Sequence, residues 1–134
     1  MRHYLQHLAN STAEVPTDQS HSVQAAMEIV RLQSAHLSGY NAAISSSLRD
    51  GPIRGQHGSF SSAGFAGRRV LLIHGTKDTA VNPKYAGQIM DLLPAETKRR
   101  SKLVWIEGAG HDLTLTHPER VGGAMWAWFE GKEV

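Results

Sequence analysis

The sequence predicts an α/β fold, and three observations carry the prediction. Two short apolar runs, Val70-Leu71-Leu72-Ile73 and Leu103-Val104-Trp105-Ile106, have the near-continuous hydrophobicity of strands buried on both faces of a parallel sheet. Each run leads into a glycine-containing loop, His74-Gly75-Thr76-Lys77-Asp78 and Gly108-Ala109-Gly110-His111-Asp112. Helical patterns follow both loops. The order strand, helix, strand, helix calls for a parallel crossover, right-handed by default.

The elements can be justified in chain order. Met1 to Asn10 reads as a short helix or the end of a longer one, and Ser11 to Ser20, with Pro16 and Asp18, as a connection. Val23, Met27, Val30 and Leu37 recur on one helical face, which predicts a helix from about Ser22 to Leu37. Ser38-Gly39 interrupts it. Tyr40, Ile44 and Leu48 then repeat every four residues, so a second helix should reach Arg49 and stop at Asp50-Gly51-Pro52. From Gly51 to Gly67 the chain is rich in Gly and Ser without periodicity and reads as a long loop.

In the second half, Arg69 to His74 is the first strand. Pro83 can open a helix with Asn82 as its N-cap, its inner face formed by Tyr85, Ile89, Leu92 and Leu93, and Pro94 as its end. Lys98, Arg99, Arg100 and Lys102 read as a solvated loop before the second strand, Lys102 to Glu107. Pro118 begins a last helix whose Val121, Met125, Trp126, Trp128 and Phe129 are expected mostly inward. Trp105 is likewise expected to pack inside.

Composition narrows the function classes. With 134 residues, 40% of them hydrophobic and 19% charged, the chain can build one real core. The formal net charge is only +2, and no aromatic or second basic stripe accompanies the Lys98–Lys102 cluster, so no nucleic-acid partner is expected. No cysteine is present, which rules out disulfides, a thiol nucleophile and thiolate metal sites. No run is long and apolar enough for a signal peptide or a membrane span, so the expected location is cytoplasmic, with no membrane partner. His3 and His7 share an i, i+4 helical face, but no third ligand accompanies them; no metal and no cofactor are expected.

The chemistry gathers on Asp78 and His111. In open α/β sheets, sites form beyond the carboxyl ends of the strands, and both residues stand there, 33 positions apart. A carboxylate that accepts from one imidazole nitrogen fixes the tautomer and leaves the other nitrogen to act as base and then acid. Gly108 and Gly110 allow the tight turn that projects His111. Asp50 is a weaker candidate for the acid, at a helix end before Gly-Pro. Asp112 is expected to cap or orient the turn, and His117 to help begin the last helix. His36 and Tyr40 would line a pocket if the first helices formed a lid.

Residues Arg69 to Phe129 resemble the C-terminal end of an α/β-hydrolase. The segment "VLLIHGTKD" is similar to that family's penultimate core strand and acid loop, with Asp78 as the triad acid. "LVWIEGAGHDL" is similar to its last strand and histidine turn, with His111, and "THPERVGGAMWAWFE" to its final helix. The resemblance implies a C-terminal portion of the hydrolase core over 68–134, two parallel strands with a crossover helix and a final helix. It places a helical lid-like segment, a return helix and the Gly/Ser-rich loop over 1–67. His74-Gly75 superficially resembles the His-Gly of the family's oxyanion segment, but the nearby acid matches the later strand instead.

One departure limits what the resemblance implies. A serine member needs G-x-S-x-G on a strand-to-helix turn, and Gly58-Ser59-Phe60-Ser61-Ser62 ends in serine with no apolar strand before it. The implied parent activity is serine hydrolysis of a small acyl substrate, of esterase, lipase or peptidase type. A nucleophilic Asp, as in the family's epoxide hydrolases and dehalogenases, stays open. These residues alone are expected to be inactive for lack of a nucleophile. The alternative is an inactive remnant that binds or assembles, since two strands leave an edge for self-association or a complementing chain.

Overall fold

The computed structural model describes residues 20–52 and 54–134. The expectations for the first nineteen residues, including the His3–His7 pair, lie outside the described residues.

Helix α1 (Ser20–His36) is followed after a short break by helix α2 (Tyr40–Asp50). The break falls at Gly39, whose φ of 81° lies in the left-handed region that costs glycine little. Ser34 Oγ donates to Asn41 Oδ1 at 2.8 Å, and Asn41 Nδ2 donates to the Ser34 carbonyl at 2.9 Å, pinning the two helices together. Val23, Met27, Val30 and Ile44 are half-buried on these helices, whereas Leu37 and Leu48 are exposed, as are Ile29 and Leu32. The apolar stripe of the two helices is therefore only partly covered.

The 51–67 segment is more ordered than its composition suggests. It holds a one-turn helix α3 (His57–Phe60) and a 3₁₀ turn over Ala63–Phe65. Phe60 and Phe65 meet with ring centroids 6.1 Å apart. The Phe65 carbonyl accepts from Thr97 Oγ1, a fully buried hydroxyl. These tertiary partners replace the local periodicity that the sequence lacks here.

Strand β1 (Leu71–Gly75) pairs in parallel with β2 (Lys102–Ile106), in the register Leu71↔Lys102 through Gly75↔Ile106. Between them lie helix α4 (Lys84–Leu92) and the short helix α5 (Ala95–Arg99). Two more helices follow β2: α6 (Leu113–Thr116) and α7 (Pro118–Phe129). The fold is mixed α/β. Helix α7 packs on β1, α4 on β2, α3 on α4, and α1 on α6.

Asn82 caps α4 as its sequence position suggests: its Oδ1 accepts the Lys84 N–H at 3.0 Å and its carbonyl accepts the Tyr85 N–H at 3.0 Å. Tyr85, however, does not face the core. It is exposed, with Lys84 Nζ 5.2 Å above its ring, and Ala86 takes the buried position beside Leu93. The basic cluster is not a loop either. Lys98 and Arg99 belong to α5, Lys98 pairs with Asp91 at 2.6 Å, and Arg100 donates to the Gly67 carbonyl at 2.8 Å.

The core is small and centred on Ile106, Ala109, Ala86, Leu93, Val121 and Ala124. The expected inward face of the last helix is only part right. Val121 is buried, but Trp126 and Phe129 are 66% and 76% exposed, and Met125 and Trp105 are also exposed. Trp128 is half-buried beneath the Arg69 guanidinium, 4.2 Å from the ring centroid, and its carbonyl accepts from Arg69 Nη2. The small residue Ala124 joins Val121 on the buried side, so close approach to the sheet is made by compact side chains and the large rings turn away. The strands are correspondingly half-buried, rather than covered on both faces.

Candidate functional site

Two loops meet at the carboxyl ends of β1 and β2, and backbone bonds join them. The Thr76 N–H donates to the Ile106 carbonyl at 3.1 Å and the Lys77 N–H to the Ala109 carbonyl at 2.9 Å. In return the Gly108 N–H donates to Thr76 Oγ1 at 2.9 Å. Gly108 adopts a φ of 76°, which turns the second loop back toward the first. Gly110 shows no positive φ; it is buried and contributes its carbonyl to the contact with Gly75.

Asp78 sits in this junction with its side chain 5% exposed. Its Oδ1 accepts the N–H groups of Ala80 and Val81, each at 2.8 Å, an arrangement that turns the chain toward α4. Oδ2 accepts from His111 Nδ1 at 3.0 Å. One oxygen is thus committed to the loop and the other to the histidine. The imidazole is one-third exposed, so its remaining nitrogen, Nε2, is the one left for chemistry.

Burial pushes the Asp78 carboxyl up. The Val81 N–H, the hydrogen bond and charge of His111, and the Ala80 N–H outweigh that and hold it below the usual carboxylate range. A group whose folded value is depressed contributes stability above its unfolded value and loses it as the pH falls through the folded one. The chain should therefore lose stability as the pH drops below about 4. Asp78→Asn should flatten that acid limb; denaturant melts of both proteins across the range would show it, and parallel curves would refute it.

The structure also brings in a residue that the sequence reading passed over as a site member. His74, on β1, places Nε2 3.7 Å from Asp78 Oδ2, with its side chain 16% exposed. Its i, i+4 spacing to Asp78 across the strand end was the available signal. The other residues weighed from sequence stand apart. Asp50 is exposed and paired with Arg49, 2.8 Å away. Asp112 opens α6 through its carbonyl, which accepts from the Leu115 and Thr116 N–H groups, not through its side chain. The His117 carbonyl starts α7 by accepting the Val121 N–H at 3.0 Å, and Nδ1 meets Thr116 Oγ1 at 2.8 Å. His36 is exposed and Tyr40 half-buried. Ser59 and Ser61 bond locally, to Gln56 and to the His57 and Gly58 carbonyls.

Among the described residues, no group of three or more His, Asp or Glu side chains is arranged to hold a metal ion. None of the described helices is long and apolar enough to cross a membrane. Compared with models of known protein families, with curated proteins and with solved structures, the chain matches none.

Proposed function

We propose that residues 68–134 are the C-terminal part of an α/β-hydrolase core, with the helices before them as its lid-like segment. In this reading Asp78 orients His111, and His111 serves as general base and then acid for a nucleophile that these 134 residues do not contain. The parent reaction is acyl transfer to water from a small acyl substrate with a serine as the attacking group; with an aspartate in that place the attack would instead fall on an alkyl carbon, as in epoxide hydrolases and dehalogenases. The observation that carries it is the 3.0 Å bond between Asp78 Oδ2 and His111 Nδ1 at the ends of adjacent parallel strands. The cysteine-free composition suits a reducing compartment such as the cytosol.

The test is direct. The purified 134-residue chain should hydrolyse a p-nitrophenyl ester no faster than buffer, because His111 has nothing to deprotonate. Turnover abolished by His111→Ala would overturn the assignment of the nucleophile to sequence outside these residues.

The exposed Trp105, Met125, Trp126 and Phe129 favour a second reading, an inactive remnant that binds or assembles. Among the described residues, the two parallel strands leave unpaired edges that suit a second copy or a complementing chain. On this reading the chain elutes as more than a monomer in size exclusion with light scattering. Replacing Trp126 and Phe129 by lysine should shift it toward monomer. A compact wild-type monomer would count against the second reading and leave the first untouched.

A further inference from the structure

His74 is held on three sides. Its Nδ1 lies 3.0 Å from the Gly75 carbonyl, which only accepts, so Nδ1 carries the proton. Its ring stands edge-on to Trp105, centroids 5.9 Å apart and planes 64° apart. Nε2 is left facing Asp78 Oδ2 at 3.7 Å, the same oxygen that accepts from His111. In the neutral ring Nε2 bears a lone pair and gives the carboxylate nothing. Protonated, it presents an N–H and a charge to it.

We propose that His74 is a positioning residue for the Asp78–His111 pair: when protonated, it brings a second donor and a positive charge to Oδ2, draws on the same oxygen's charge and loosens the hold of the carboxylate on His111. This rests on the reading of Asp78 and His111 as a working pair. Oδ1 already accepts from the Ala80 and Val81 N–H groups, so the two histidines meet on Oδ2. The other charged groups about His74 are placed less directly. Lys77 shares its loop, Lys102 begins the facing strand and Glu107 follows it, and Asp112 follows His111. On α7, which packs against β1, Glu119 and Arg120 are exposed at its start and His117 is half-buried just before it. Among the described residues, Asp78 is the carboxylate within ionic reach of Nε2.

NMR of the nitrogen-labelled 134-residue chain between about pH 5 and 8 tests this without any need for turnover. At the alkaline end, His74 should show the Nδ1–H tautomer. On acidification, the His111 Nδ1–H resonance should shift in two steps, one of them in register with the titration of His74. In His74→Phe, which keeps a ring against Trp105, and in His74→Gln, that step should vanish and a single one remain. An unchanged two-step response in both variants overturns the proposal, as does a one-step response in wild type, which decides the matter even if the variants do not fold. Asp78→Asn separates the two ideas. If it alters the His111 signal while the His74 variants do not, only the role of His74 falls. If His111 ignores Asp78→Asn as well, the pair itself falls.

Discussion

Gly75→Ala is expected to destabilise the chain by about 3 kcal/mol, the upper end of what overpacking costs, and to part the two site loops. A β-carbon at this position would lie closer than 3.0 Å to the carbonyl oxygens of both Ala109 and Gly110 and to the carbonyl carbon of Ala109. These obstacles are backbone, not the tips of side chains that can swing aside. Relief requires moving the 108–110 turn, and that turn carries His111. The same shift would stretch the Lys77 N–H bond to the Ala109 carbonyl. A chemical-denaturation midpoint well below wild type, with loss of the Asp78–His111 proton resonance, is the expected pair of results. A midpoint within error of wild type would show that the loops are not in contact as described.

Asp78→Ala should cost a comparable amount, roughly 2–3 kcal/mol, from a different cause. It leaves the N–H groups of Ala80 and Val81 without their acceptor, and His111 without its partner. Asp78→Asn is the informative companion. It keeps an oxygen for the loop amides but puts an amide NH₂ where Oδ2 received His111, which favours the wrong tautomer. The asparagine variant should therefore retain most of the stability while the His111 Nδ1–H signal disappears. Equal losses in the two variants, measured by the same melts, would mean that the loop amides contribute little.

What could be read from the chain and what could not divide along a physical line. The strands were legible because apolar runs bounded by glycine carry their own signal. That Asp78 and His111 meet was legible because each stands one loop beyond one of two neighbouring parallel strands. Helix ends were close for a similar reason, since Gly39, Asn82 and Pro118 act locally.

The facing of helices was another matter. Trp126, Phe129 and Tyr85 are apolar enough to be assigned inward by type, but the side that Ala124 and Ala86 occupy is set by how closely α7 and α4 approach the sheet. That is a property of the assembled layers. His74 was obscured in the same way. Its part in the site depends on which oxygen of Asp78 the loop amides leave open, and no spacing rule reports that. The turns over 57–65 are held by the Thr97 hydroxyl and by ring contact, so the residues that order them lie elsewhere in the chain.

The parallel register has a kinetic consequence. The ladder begins with Leu71 and Lys102, just past a Val70 N–H bond to Ser101 Oγ that spans 31 residues, so not one rung can form until a long segment has been closed into a loop. Asp78 and His111 lie beyond the carboxyl ends of that ladder, so their meeting is a non-local event whose cost is the closure of the same long loop, and the proton between them would report when the two strands have met.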